Sequence, residues 1–420
     1  MWYMLRIEAE LRMMSMYFNK TIVLLMIVVL TNRILSCPSN CSCTKPYTTL
    51  DVKCLWGGFT FIPTDFPNDS YSITMRGHNI PTIENGAFRS MTLLNTIILT
   101  SNQISTIQKG AFENLPALWI LFLDHNKLTI IQTGAFADLP RLQKLNFERT
   151  QITTLQPGTF KGLPALDTMF WDHSQITTIQ TGAFENLIEL TSLSLWKRQI
   201  TTIQTGAFKD LPALTFINLE YNEITTIQQG TFDDLPALNL IKLEGNPITT
   251  IQPGAFNDLP ALNKINLEAN LITTIQQGTF KDLPLLNVLV LGGRRTITSI
   301  QNGAFENLPG LQSLVLSGQN ITTIHTRAFT NLPALISIHL EGNQINVLQR
   351  GTFEDLPVLN IIRLTSNKIK TIQNGAFKNL PALLQLHLQN NQITTIEQGT
   401  FEDLPALIEM YVQSLTIFHP

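Results

Sequence analysis

Fourteen phenylalanines, from Phe88 to Phe401, follow one another at steps of 24 residues, broken by one step of 25 between Phe280 and Phe305. A fixed period of this length constrains the fold more than any composition does. Each period is one small unit that cannot bury its own apolar face, so units must stack to close a core. One unit, residues 262–285, reads LNKINLEANLITTIQQGTFKDLPL. Its alternation Ile265-Asn266-Leu267 predicts a short strand, with Ile265 and Leu267 facing one way and Asn266 the other. Such strands, stacked in parallel about 4.8 Å apart, predict one long sheet along one side of the molecule.

The other repeated positions serve the returning backbone. Asn270 and its equivalents can hydrogen-bond backbone groups that the turn would otherwise bury unpaired. Gly278 recurs in thirteen of fourteen units, with Arg327 the exception, and glycine permits the positive φ that a tight return needs. The phenylalanines are expected to stack inside the opposite wall, each contributing about 2–3 kcal/mol by burial. Pro284 and its equivalents end each return and feed the next strand.

Written out, L-x-x-I/L-x-L-x-x-N-x-I-x-x-I-x-x-G-x-F-x-x-L-P resembles the leucine-rich repeat, and the spacing is similar to that of its common extracellular class. The resemblance implies an α/β solenoid: a curved horseshoe with a parallel β-sheet on the concave face and a mostly irregular or short-helical convex side.

The amino terminus differs from the rest. IVLLMIVVL at 22–30 is too short to span a bilayer, which needs about 20 residues, and fits the apolar region of a secretory signal. Residues 1–36 therefore read as a signal peptide, with Ser36 small enough to precede the cleavage point; an uncleaved signal anchor is the competing reading. Initiation at Met16 would give a more usual start, MYFNK. The only cysteines, Cys37, Cys41, Cys43 and Cys54, form a tight, even cluster behind that segment. They read as two disulfides with three possible connectivities. A four-thiolate zinc site competes, but the cluster lacks the usual C-x2-C knuckles.

CPSNCSCTKPYTTLDVKC, followed by FIPTDFP, resembles the amino-terminal cysteine-rich cap of secreted and cell-surface leucine-rich repeat proteins. That resemblance implies the pairs Cys37 with Cys43 and Cys41 with Cys54. The expected organisation is thus a cap over 37–69 and repeats over 70–420. The family's second cysteine-rich cap does not appear before residue 420, nor does a membrane tether, so the reading is either an incomplete open reading frame or an edge covered by a partner. Leu407, Met410 and Val412 would leave an apolar strand edge open to dimerisation. Asn68 and Asn320 begin glycosylation sequons.

Against the repeated scaffold, variation gathers at the outward strand positions and just after each strand. Trp119, Phe122, Asp124 and His125 lie in the second coil, Phe170, Asp172 and His173 in the fourth, Trp196 and Lys197 in the fifth, and Phe216 and Tyr221 in the sixth. Exposed aromatics on adjacent strands point to a contact surface. One acidic column continues through Glu220, Glu244 and Glu268 beside Tyr221, Gly245 and Ala269, which leaves its repulsion without an evident counter-charge. His339, Arg363 and His387 line another column, and GGRRT at 292–296 replaces the recurring Asn. Trp171 occupies a core position and should point inward.

These patterns exclude several function classes. Charged residues make up 14% of the chain, the net charge is −3 and no Lys/Arg run occurs, which argues against a nucleic-acid partner. The pairs Asp124-His125 and Asp172-His173 stand two coils apart, about 10 Å, too far to share a metal. With no nucleophile elbow, phosphate loop or clustered ligands, no enzyme activity and no cofactor are expected. The reading is an extracellular recognition protein, secreted or at the cell surface, that binds a protein or glycan on its concave face. The divergent strand faces resemble those of the variable lymphocyte receptors and Toll-like receptor ectodomains, which implies an innate-immune role; a matrix or adhesion module is the alternative.

Overall fold

The computed structural model describes residues 37–412 apart from 47, 172, 174, 198, 306, 402 and 403. The predicted signal peptide, residues 1–36, lies outside the described residues, as does Asp172. Strand β1 (Ser42–Thr44) pairs antiparallel with β2 (Leu50–Leu55), and β2 runs parallel to β3 (Ser70–Arg76). From β3 onward each coil adds one three-residue strand, Thr96–Ile98 through Glu409–Tyr411, all parallel within one 17-stranded sheet. The register advances by whole coils, so that Ile97 pairs with Leu121 and Ile265 with Leu289. Both disulfides carry the implied pairing, Cys37–Cys43 and Cys41–Cys54.

Fixed register turns a repeated residue into a continuous row. The fourteen phenylalanines form one stack, with neighbouring ring centroids 5.6–6.3 Å apart and planes within 3–21° of parallel. Strand residues such as Ile265 and Leu267 fill the space between that stack and the sheet. The asparagines form a second row. Asn246 donates its amide to Leu219 O and Leu243 O, both at 2.9 Å, and its Oδ1 accepts the Ile224 N–H at 3.2 Å. One side chain thereby satisfies backbone groups of two coils inside the core.

Two departures repair themselves. In the coil after GGRRT, Gln319 stands in the asparagine column and makes that column's bonds back to the GGRRT coil with one carbon more. It donates to Leu291 O and accepts from the Thr296 and Ile297 N–H groups at 3.0 and 3.1 Å. Arg327, alone in the glycine column, takes the same left-handed turn at φ 61°.

The expected short helices on the return side are a correction: no helix occurs among the described residues. Each return consists of turns and a two-residue strand, such as Thr274–Ile275. The reason lies in the backbone. Gly278 and Asp282 both hold positive φ, at 76° and 58°, and Pro284 follows. Two left-handed residues four apart, with a proline behind them, leave no run long enough for a helical turn. The α/β class thus reduces to an all-β solenoid of parallel strands.

Candidate functional site

Side chains leave the open face of the sheet in five columns: the residue before each strand, the first and third strand residues, and the two positions after the second inward leucine. Trp119 stands in the first column and is 37% exposed. It lines an open groove of about 500 Å³ with Tyr71, Leu93 and Arg141 at the amino-terminal edge. Lys144 Nζ of the next coil lies 5.5 Å from its ring centroid. Phe216 is in the second column, with Lys242 Nζ 6.0 Å from its ring. Phe122 and Phe170 share the third column, separated by Asn146.

The six aromatics therefore do not form one patch. Three aromatic rings do meet at the far edge: His173 contacts Trp196 edge-on at 6.4 Å, and Trp196 contacts Tyr221 edge-on at 6.5 Å. Lys197 Nζ lies 5.0 Å from the Trp196 centroid. Trp171 is fully buried as expected, stacked on Phe147 at 4.8 Å, and its Nε1 has no partner among the described residues. Sequence reasoning missed Lys144, Lys242, Tyr71 and Arg141, because each matters through a neighbour at least 22 residues away rather than through a local motif.

Asp124 faces inward more than its column suggested. It is 9% exposed, accepts from Thr100 Oγ1 at 2.9 Å, and holds His125 Nδ1 at 2.9 Å. The acidic column also differs from expectation. Lys242 Nζ lies 3.5 Å from Glu220, while the Tyr221 hydroxyl donates to Glu244 at 2.8 Å and Asn266 to its other oxygen at 3.1 Å. The Glu244 hydrogen bond and charge raise the Tyr221 hydroxyl above its ordinary range. Neighbouring strands, not neighbouring residues, supply what the sequence left unpaired.

The fifth column carries a backbone feature that sequence reasoning did not find. Its N–H donates to a carbonyl of the next coil: His125 to Glu148 O at 2.9 Å, Lys197 to Glu220 O at 2.9 Å, Gly245 to Glu268 O at 2.9 Å. That bond requires a left-handed residue, and positive φ runs down the column. Gly77, Gly245, Gly293, Gly318 and Gly342 occupy it in five coils and Ser101, Ala269, Ser366 and Asn390 in four others, while five successive coils place His125, Arg149, His173, Lys197 and Tyr221 there, at φ 53–62°. A side-chain-bearing residue held left-handed costs roughly 1–2 kcal/mol. A further recurring left-handed position beside the glycine column, exemplified by Asp258 and Asn307, mostly takes Asn or Asp, which tolerate it best.

Further along, His339, Arg363, His387 and Tyr411 line one column on successive strands. Burial opposes ionisation of Glu341, but the His339 hydrogen bond and the charges of His339 and Arg363 outweigh it, so its carboxyl titrates below the usual range. Burial, with Arg363 alongside, lowers His387, which Tyr411 covers in a stack at 4.8 Å. Glu341 Oε2, Arg363 Nε and His387 Nε2 are buried without hydrogen-bond partners among the described residues. A groove of about 1060 Å³ runs along Asp210, Pro212, Asp234, Pro236, Asp258 and Pro260.

With this geometry in place, the chain can be set against known proteins. The family profile for the BspA type leucine rich repeat region matches residues 66–190 and 273–408, together more than half of the chain, and a second leucine rich repeat profile matches 171–224, 188–248 and 241–295. Leucine-rich repeat-containing protein 3 of Bos taurus is 35% identical over 67 residues, 16% of this chain and 26% of that protein. Its Danio rerio counterpart is 31% identical over 79 residues, 19% of this chain and 30% of that protein. The chain thus spans less than a third of the length of these relatives. Among solved structures, Toll in its complex with Spatzle from Drosophila superposes with a TM-score of 0.59 at 18% identity, over 90% of this chain and 55% of that one. This likeness is one of fold.

Proposed function

The chain belongs to the leucine-rich repeat family, and from that premise we propose that it is an extracellular recognition protein whose ligand, a protein or glycan, lies on the open sheet face across the second to sixth coils. One observation carries this reading. Inward positions repeat almost unchanged, while the outward columns of these coils hold Trp119, Phe122, Phe170, Trp196, Phe216 and Tyr221. Large rings half-exposed on a rigid sheet suit a binding hot spot, because little side-chain freedom is lost on contact. Binding without catalysis is part of the same reading, as are glycans on exposed Asn68 and half-buried Asn320. Two disulfides near the amino end suit a secreted or cell-surface setting. The Toll structure, solved with Spatzle bound, supports a protein ligand, and the proposed role is receptor-like, in innate immunity.

The test is a screen of the recombinant protein against arrays of extracellular proteins and glycans. It is run beside a Trp119→Ala, Phe170→Ala, Trp196→Ala variant and a Lys264→Ala, Asn266→Ala control in the eighth coil. Ligands should lose at least about tenfold in affinity with the first variant and keep it with the control. Ligands that all bind the first variant undiminished would sink the proposal.

A further inference from the structure

We propose that Asn374 is a site of self-modification, at which the backbone nitrogen of Gly375 attacks the asparagine side-chain amide and turns the residue into aspartate or isoaspartate. The attack forms a bond from the Gly375 nitrogen to Asn374 Cγ and breaks the bond to the side-chain nitrogen. That nitrogen leaves as ammonia with the proton given up by Gly375. Water then adds across either C–N bond of the cyclic imide, so no oxidant, reductant or cofactor is needed.

Asn-Gly occurs three times in the chain, at Asn85-Gly86, Asn302-Gly303 and Asn374-Gly375. Glycine is the neighbour that leaves such an attack open, because no Cβ screens its nitrogen and its backbone turns freely. All three asparagines are exposed, yet the return turns hold them differently. Gly86 donates its N–H to Gly110 O at 3.1 Å, and the Asn85 side-chain amide donates to Lys109 O at 3.0 Å, so both reacting groups are engaged. Gly303 donates its N–H to Arg327 O at 3.4 Å. Asn374 has neither restraint: among the described residues the Gly375 N–H meets no acceptor, and the Asn374 side chain makes no hydrogen bond.

A comparison within the chain isolates the turn. Residues 300–305 and 372–377 both read IQNGAF, so the local sequence is the same and the next coil makes the difference. After Asn302 that coil brings Arg327, whose carbonyl takes the Gly303 N–H. After Asn374 it brings Glu397, whose Oε2 accepts the Asn374 backbone N–H at 2.8 Å and leaves the Gly375 nitrogen open. Arg350 Nε lies 3.6 Å from where a Gly375 Cβ would stand, and a cation beside the glycine favours loss of the proton that precedes attack. The product also bears on the fold. A carboxylate at 374 stands against that of Glu397, and isoaspartate adds a carbon to the main chain, so the contact between the two coils is weakened.

The experiment is incubation of the folded protein at mildly alkaline pH in water enriched in heavy oxygen. Digestion in ordinary water and mass spectrometry of the peptides that carry Asn85, Asn302 and Asn374 follow. Heavy oxygen marks each carboxylate made during the incubation. Label should enter the Asn374 peptide about fivefold faster than the Asn302 peptide, the worth of one backbone hydrogen bond, and faster still than the Asn85 peptide. In urea above the unfolding midpoint the Asn302 and Asn374 peptides should label at the same rate, because their local sequences match. Asn374→Gln should abolish label at that site, since glutamine has to close a larger ring. Equal labelling of Asn302 and Asn374 in the folded protein, or Asn302 ahead, would overturn the proposal. A difference that persists unchanged in urea would overturn it too, because the folded turn would then not be its source. The labelled protein should exchange the amide of residue 374 faster than fresh protein, and equal exchange would overturn the weakened contact with Glu397.

Discussion

Arg149→Gly should make this protein more stable, although it removes a side chain. Arg149 holds φ at 53°, and release from the left-handed penalty is worth roughly 1–2 kcal/mol. Glycine loosens the unfolded chain, which offsets about 0.4–1 kcal/mol. The net gain is about 0.5–1 kcal/mol. Gly278→Ala measures the same backbone effect with the opposite sign. Gly278 sits at φ +76°, and a Cβ there would meet no heavy atom within 4 Å, so no clash adds to the penalty and the expected loss is about 0.5–1 kcal/mol. Urea titration followed by tryptophan fluorescence is the assay, with buried Trp171 as a reporter in the next coil. Stacked coils unfold in segments, so midpoints are compared only where the slope is unchanged. With a slope of about 3 kcal/mol/M the midpoint should rise by about 0.2–0.3 M for Arg149→Gly and fall by as much for Gly278→Ala. If Gly278→Ala lowers the midpoint and Arg149→Gly lowers it as well, the claim that the backbone at position 149 is strained is refuted.

Other perturbations test the scaffold and its titrating end. Phe232→Ala, in the middle of the stack and fully buried, should destabilise by about 3–5 kcal/mol, read as a lower urea midpoint. Asn246→Ala strips hydrogen bonds from Leu219 O, Leu243 O and the Ile224 N–H and should cost about 2–4 kcal/mol, with faster amide exchange confined to the two coils it bridges. His387 is depressed by burial and by Arg363, while Glu341 and Glu409 pull weakly the other way. Its neutral form is favoured in the fold, so its contribution is present above the ordinary histidine range near 6.5 and is lost as pH falls through the folded value. The fall in urea midpoint on acidification from neutral pH should be shallower for His387→Gln than for wild type; equal slopes would remove His387 as a source of acid sensitivity.

The regular part of the fold could be read from the sequence because a repeated residue answers to a repeated environment. Ile265, Leu267, Asn270, Gly278 and Phe280 each occupy one place per coil, and each is where its chemistry requires. The return side was misjudged because the Asp or Asn before Leu-Pro passed as a polar surface residue, while the backbone holds it left-handed and so excludes helix. The site was legible only in part. Exposure of Trp119 and Tyr221 followed from strand alternation, but the splitting of the aromatics between two edges of the sheet did not. Nor did the Tyr221–Glu244 and Lys242–Glu220 pairs, which join residues 22–23 apart through parallel register. Gln319 replacing an asparagine beside GGRRT is the one compensation whose signal was present, an amide in the asparagine column immediately after the insertion.

The most direct measurement is hydrogen–deuterium exchange of the protein with and without the first ligand recovered from the array screen. The account predicts slowed exchange in peptides that carry Trp119–His125, Phe170, Trp196–Lys197 and Phe216–Tyr221, with the return segments and the eighth coil unchanged. Protection confined to the proline-lined groove or to the return segments, with these strands unaffected, would contradict it.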